Sequence, residues 1–392
     1  MTEPSTSRQG EPLPASTRCI IIGAGFAGAA TAWALARTGH GPGLILEREF
    51  TFGVHASGRN AAIMRLIEAD PVIRALATRS DRHIRALSAE VPLLRPTGGY
   101  TLASGGDVAA LESLGDSLRR DGISVEPLTA AAARARVPAL AEVRFDGALW
   151  SPAESVVEIH ELLSLYLERA GRGGFRLHTK VQVDDLIVEG GRVSGVHAGD
   201  RDIRADVVID ASGAWAGRLG RAAPLPLRPL RRHLFVTGPA PGWHRDGPVV
   251  WIWESDLYAR PEGEGVLISP CDETLTAPIA PDVDPAAIDL LAEKVAAHAP
   301  GLQDLELRRA WACLRTFAPD RRPVIGADPD LPGLFHVSGL GGFGMSCSAA
   351  VGELAAATIA DQPVEWIDAG CVSAGRYRSS SPLTISHAAR AT

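Results

Sequence analysis

Three observations predict an α/β fold: a Rossmann-like nucleotide-binding domain in separate segments, with an inserted, mostly antiparallel β substrate domain. First, a β-branched run, CIII at 19–22, meets glycines, a helical Ala/Leu/Trp pattern and a second apolar run, LILE at 44–47: strand, turn, helix, strand. Second, residues 225 to 318 break into short strand-like pieces (RRHLFVTG, PVVWIWES, LYARPEG, GVLISP) between Pro, Gly and Asp turns, as in an antiparallel sheet. Third, the chain returns at LFHVSGLGGFGMSCSAAVGELAAATIA to a strand, a glycine loop and a helix from about Met345 to Ala357. The segments 18–90, 150–220 and 318–371 are assigned to the nucleotide-binding domain, 91–149 and 221–317 to the substrate-binding domain, and 1–17 and 372–392 to flexible tails.

Between these landmarks, residues 70–90 carry apolar positions at helical spacing, GGYTLAS reads as a strand and 107–121 as a second helix. SPAESVVEIHELLSLYLERAG opens on Ser-Pro and continues as an amphipathic helix. Strands follow in FRLHTKVQVDDLIVEGGRVSGVHAG, with a Gly-Gly turn inside, and in ADVVIDASGAWAG; a helix at 285–298 interrupts the antiparallel region.

The chain has 392 residues, 46% hydrophobic, which suffices for a large core and suggests two domains or one with an insertion. A net charge of -7 gives nucleic-acid binding no support, so a small-molecule enzyme is expected. Lys180 and Lys294 are the only lysines, which leaves almost nothing for Schiff-base chemistry. Five widely spaced cysteines without a C-x-x-C pair fit a reducing, cytoplasmic setting. Residues 1–17 contain no apolar h-region, and no stretch approaches a membrane span. His160-Glu161 begins like a zincin helix but lacks the second histidine, no G-x-S-x-G elbow occurs, and no metal site is expected.

Gly23-x-Gly25-x-x-Gly28 lies between strand and helix, and Glu47 ends the next strand nineteen residues further on. This is the full dinucleotide fingerprint in its expected context. Gly23 permits the tight turn, Gly25 the approach of a pyrophosphate and Gly28 the packing of helix on strand, while Glu47 would accept from an adenosine ribose and repel a 2'-phosphate. The fingerprint alone does not separate NAD from FAD. Gly339 to Gly344, before a helix, gathers backbone donors that suit an anionic group. Arg315, in the apolar run WACLRTF, would hold a carboxylate by a bidentate fork or serve a structural salt bridge.

REFTFGVHASGRNAA, VVIDASGAWAG and the terminal CLRTFAPDRRPVIGADPDLPGLFHVSGLGGFGMSCSAAVGELAA together resemble the D-amino-acid oxidase and glycine oxidase superfamily of flavoproteins across most of the chain. GVHASGRNAA, RPLRRHLF, DLYARP and WACLRTF look most like its D-arginine dehydrogenase branch. The resemblance implies FAD, contacted by Gly23, Gly25, Phe26, Ala27, Gly28, Glu47, Arg48, Ser57, Arg59, Asn60, Ala61, Val181, Ala211, Gly213, Gly341, Gly342, Phe343, Gly344 and Met345. It also implies that Arg315 binds the substrate carboxylate, that Tyr258 contacts the same group, and that one of Arg231 and Arg232 reaches the site, with Arg232 the candidate. Strand neighbours point to opposite faces, so only one of that pair can do so. Non-covalent FAD is expected; a covalent link through Cys313 is the alternative, because the sarcosine-oxidising branch has its flavin-bearing cysteine at this spacing.

The expected reaction is FAD-dependent oxidation of the C–N bond of an amino acid or related amine to an imine, with hydride passing to flavin N5 and either dioxygen or a quinone as final acceptor. Alternatives are a 2-hydroxy-acid dehydrogenase, for which no base is evident, and an FAD-holding subunit of a larger complex. Gly99 stands where the D-arginine branch has an acid, which disfavours a basic substrate; Tyr100, Trp251 and Trp253 either make the pocket aromatic or serve as core residues, and Glu68 is expected in solvent.

Overall fold

The computed structural model describes residues 12–219 and 224–377. Its first sheet is built on the parallel trio Ser16–Ile22, Gly43–Glu47 and Phe175–Thr179, extended on the other side by Arg201–Asp210 and then Leu334–Ser338. The hairpin Asp185–Glu189 and Arg192–Ala198 and the strand Val324–Ala327 complete it antiparallel. Gly190 and Gly191 turn that hairpin at φ +57° and +77°, the left-handed pair a tight hairpin needs. Helices Phe26–Arg37, Pro71–Ser88, Ile159–Arg172 and Ser348–Ile359 cover one face and share one core. Two of them approach at Gly352, where a Cβ would lie 2.4 Å from Ala30 O.

The second sheet has nine strands. Its centre is antiparallel: Arg228–Thr237 lies between Gly265–Ser269 and the long Leu307–Phe317, and Leu257–Glu262 between Gly265–Ser269 and Val249–Ile252. Gly99–Ala103 then joins Val249–Ile252 in parallel, so the sheet is mixed. Helix Asp107–Arg120 matches the spacing read at 107–121, and Pro285–His298 falls where 285–298 was predicted.

Several boundaries differ from the sequence reading. The helix expected from Ser151 starts at Ile159, because Gly147–Ser151 and Ser155–Val157 are strands; the latter pairs with Ile63–Met64 and Leu94–Arg95. The last helix starts at Ser348, not Met345, since residues after Gly341 make turns before the Cys347 cap. Most of both expected tails, 1–11 and 378–392, lies outside the described residues. Within them, Val372 and Ala374 are fully buried and Arg376 pairs with Asp320 at 2.8 Å, so packed structure continues past Cys371.

Candidate active site

The glycine fingerprint makes the close approaches its spacing requires. A Cβ at Gly28 would meet Gly23 O at 2.0 Å, and one at Gly23, where φ is +103°, would meet Ala211 O at 2.7 Å. Ala211 is tied in turn to Ile22 O through its N–H at 3.0 Å. Gly25 abuts Ser57, whose Oγ would lie 2.8 Å from an added Cβ and accepts from Phe26 N–H at 2.9 Å. This caps one donor of the helix, whose following first-turn N–H groups, at Ala27 and Gly28, are those a helix end offers to an anion. Phe26 itself is buried edge-on against Tyr166.

At the far end of this cleft Glu47 accepts from Ala24 N–H at 2.9 Å and Glu49 N–H at 3.0 Å, while Val181 N–H donates to Glu47 O at 2.9 Å. The Arg48 guanidinium lies 3.6 Å from the centroid of Trp215, and His55 leans on that ring and bonds Glu49 at 2.8 Å. Trp215 and His55 were not singled out in the sequence; their tryptophan–arginine contact joins segments 167 positions apart. Gly213 at φ +62° opens the turn that carries Trp215, and buried Asp210 closes it by accepting from Gly217 N–H at 2.6 Å.

Three segments converge at the other end. Asn60 donates to Ser57 O and accepts from Ala62 N–H, both at 2.7 Å, which fixes the loop through Ala61. Arg59 donates to Ala312 O at 3.4 Å and Trp311 Nε1 donates back to Arg59 O at 3.0 Å, clamping this loop to the long strand. The glycine loop docks on the same strand, with Gly341 N–H on Thr316 O at 2.8 Å. Gly341, at φ +53°, has Phe317 where a Cβ would go, and at Gly342 a Cβ would sit 2.1 Å from an Arg315 nitrogen. Phe343 N–H closes the turn on Leu340 O, Gly344 has no neighbour nearer than 3.8 Å to an added Cβ, and Met345 is buried below.

Register decides which side chains share this face. Arg232 lies opposite Cys313, and Leu230 opposite Arg315, so Arg232, Cys313 and Arg315 point the same way while Arg231 points to the other side, where it pairs with Asp284. Tyr258 pairs across with Ser269 and shares an apolar cluster with Ala61 and Cys313. Its hydroxyl is buried and unpaired: Ser269 Oγ is already engaged, donating to His233 O at 2.6 Å and accepting from Cys271 N–H at 3.3 Å. Burial pushes the pKa of Tyr258 up, against the opposing pull of Arg315, so it stays a neutral donor. Arg315 is half-buried and has neither an ion pair nor a hydrogen bond to oxygen among the described residues. Burial likewise pushes the thiols of Cys271 and Cys313 up.

Arg232 is held differently. It donates through Nε to Asp272 O at 2.8 Å and pairs with Glu273 at 3.0 Å, leaving less of its fork for a ligand than Arg315 has. Asp272 in turn accepts from His233 N–H at 2.8 Å and pairs with His233 Nδ1 at 2.7 Å, while His233 Nε2 accepts from Asp284 N–H at 2.9 Å, which places the ring proton on Nδ1. Burial raises the Asp272 pKa, but its bonds to His233 outweigh this and hold it below the ordinary value. A depressed carboxylate stabilises the fold above its unfolded pKa of about 3.9 and loses that contribution as pH falls through the folded value. Replacing Asp272 with Asn is therefore expected to cost about 1–3 kcal/mol at neutral pH and to flatten the acid limb of the stability profile. Thermal melts from neutral to acid pH check this; parallel profiles for variant and wild type would count against it.

The aromatic pocket differs from the one expected. Trp251 stacks on Tyr258 with ring centroids 4.8 Å apart, but Tyr100 is buried in a separate cluster against Trp150, and Trp253 packs into the helical core. The space beside Gly99 is taken by Glu154, whose Oε2 would lie 1.9 Å from an added Cβ. Glu68 is half-buried, not solvated, and accepts from Ala69 N–H at 2.8 Å. Glu154 gave no sequence signal, because its neighbour across the fold is distant in the chain.

A family model described as FAD dependent oxidoreductase matches residues 18–358. The chain belongs to the DAO family of FAD-dependent oxidoreductases. The family cofactor is FAD, typically non-covalent, and the glycine cradle, with its backbone approaches that admit no Cβ, fits it. Similar curated relatives include the mitochondrial pyruvate dehydrogenase phosphatase regulatory subunit of Mus musculus, 24% identical over 88% of this chain and 41% of the relative. Another is the D-amino acid dehydrogenase of Paramagnetospirillum magneticum, 25% identical over 88% of this chain and 96% of the relative. Among solved structures, glycine oxidase from Geobacillus kaustophilus superposes with TM-score 0.81 at 23% identity, covering 93% of this chain and 100% of that one, which shows the shared fold. This DAO-family chain spans about two fifths of the length of the regulatory subunit. Among the described residues no helix is long and apolar enough to cross a membrane, and no group of His, Cys, Asp and Glu is placed to hold a metal.

Proposed function

We propose that this DAO-family chain oxidises the C–N bond of an amino acid or related amine to an imine. The observation that carries the reading is that Arg315, which has no oxygen partner and abuts Gly342 of the glycine loop, lies within electrostatic reach of the buried, unpaired Tyr258 hydroxyl. A guanidinium fork and a neutral phenol are the donors a carboxylate accepts from. FAD, when bound, supplies two-electron acceptance from the substrate α-C–H. Arg315 and Tyr258 hold the carboxylate and so orient the α-carbon, a proximity effect, while Arg232 adds positive charge behind them. Among the described residues, Glu273 is paired with Arg232 and Arg321 and the thiols of Cys271 and Cys313 are kept neutral by burial, so none of these serves as a base. The substrate therefore arrives as the neutral amine, and turnover rises with pH through the amine's own pKa.

A non-catalytic FAD-holding subunit is the second reading, favoured by the name of the murine relative. Anaerobic titration of the flavin-loaded chain with D-, L- and N-methyl amino acids and 2-hydroxy acids separates these. Bleaching by amines alone supports amine oxidation, bleaching by hydroxy acids alone replaces it, and no bleaching leaves the subunit reading. Five free thiols support a reducing compartment for this chain.

A further inference from the structure

Among the described residues, every other arginine that is buried or half-buried has a hydrogen bond or an ion pair; Arg65 and Arg315 have neither an ion pair nor a bond to oxygen. Arg65 caps one end of an aromatic stack whose other ring, Tyr258, lies within electrostatic reach of Arg315. The Arg65 guanidinium lies 3.7 Å from the centroid of Trp251, Trp251 stacks on Tyr258 at 4.8 Å, and Tyr258 feels the charge of Arg315. Trp251 pairs across with Tyr258 and Tyr258 with Ser269, so the stack shares one face of the sheet, and it belongs to the cluster that contains Ala61 and Cys313. Leaving a guanidinium half-buried without an acceptor costs desolvation that a ligand anion would return.

The acids near Arg65 do not fill this role. Glu154 accepts through Oε1 from Leu66 N–H at 3.3 Å and Ile67 N–H at 3.2 Å, Glu68 accepts through Oε1 from Ala69 and Asp70 N–H, and neither makes an ion pair with Arg65. Burial raises the pKa of both, opposed by the charge of Arg65 and by their backbone N–H bonds.

We propose that Arg65 is a specificity residue that binds a second anionic group, so that the preferred substrate is a dicarboxylic amine: one carboxylate on Arg315 and Tyr258, the other reaching past Trp251 to Arg65. This rests on the amine-oxidation reading for turnover but not for binding. The flavin-loaded chain is titrated with the redox-inert acids acetate, propionate, malonate, succinate and glutarate, and perturbation of the flavin spectrum is followed. Tighter binding of one of the dicarboxylates by about 10- to 100-fold over the monocarboxylates is expected, the worth of one charge-assisted contact. Arg65→Gln is expected to erase that preference and Arg65→Lys to keep part of it, because lysine retains the charge but not the planar fork. Equal binding of mono- and dicarboxylates, or a preference that survives in Arg65→Gln, overturns the proposal. The same panel of amines, anaerobically, is expected to bleach the flavin fastest with dicarboxylic members; preference for basic or neutral amines also overturns it. If inert dicarboxylates bind preferentially but no amine reduces the flavin, the amine reading fails and the anion site stands.

Discussion

Replacing Arg315 by alanine is expected to lower kcat/KM for a carboxylate-bearing amine by about 100- to 1,000-fold, mostly through KM, while the protein keeps its FAD. The size follows from truncating one partner of a desolvated, hydrogen-bonded charge pair, which costs about 2–5 kcal/mol at about 1.4 kcal/mol per factor of ten. The loss falls on substrate because Arg315 makes no ion pair with a carboxylate of the protein, so its removal leaves no buried acid without its counter-charge. Arg315→Lys is expected to recover only part of the activity, since a single ammonium lacks the fork. Steady-state kinetics with flavin content measured on the same samples decides the matter. If flavin is lost along with activity, Arg315 has a structural task on the glycine loop, where it touches Gly342.

The second large effect is expected at Gly28. A methyl there would sit 2.0 Å from Gly23 O and 3.1 Å from Ile21 Cγ2, and the first of these is backbone that cannot turn away. The helix Phe26–Arg37 must then lift from its strand, which carries the helix end away from the position where it meets a pyrophosphate. Gly28→Ala should therefore purify largely without flavin, with an overpacking cost of about 1–3 kcal/mol. The control is Gly106→Ala, where an added Cβ meets nothing within 4 Å and φ is an ordinary -65°, so flavin content should match wild type. The ratio of flavin to protein absorbance reads both variants, and circular dichroism shows whether Gly28→Ala is folded. A folded Gly28→Ala with full flavin would mean that the close packing is not needed for the cofactor.

The cofactor half of this protein was legible in sequence because its chemistry is local. A strand, three glycines at fixed offsets and an acid at the end of the next strand specify one backbone shape, and residues 16–47 adopt it. Helix Pro71–Ser88 was equally readable from its apolar period, and the structure adds an aspartate cap before proline there and at Pro285–His298. Where sequence misplaced boundaries, tertiary pairing overrode local pattern: Ser155–Val157 is a strand because two other strands flank it.

The substrate half needed the fold. Spacing states that only one of Arg231 and Arg232 faces inward, but the pairing of Arg232 with Cys313 selects it, and register between strands some eighty residues apart is not encoded locally. The same holds for the stack that joins Arg65, Trp251 and Tyr258, and for Glu154 beside Gly99: Arg65 and Glu154 lie just outside strands Ile63–Met64 and Ser155–Val157, and packing brings them onto residues of the nine-stranded sheet that are distant in the chain. Sequence by itself determined the backbone that receives FAD, since that shape is made within one strand–turn–helix unit. The tertiary structure decided which guanidinium is left without an ion pair on this face, because that state is defined by the absence of acids that any distant segment could have supplied.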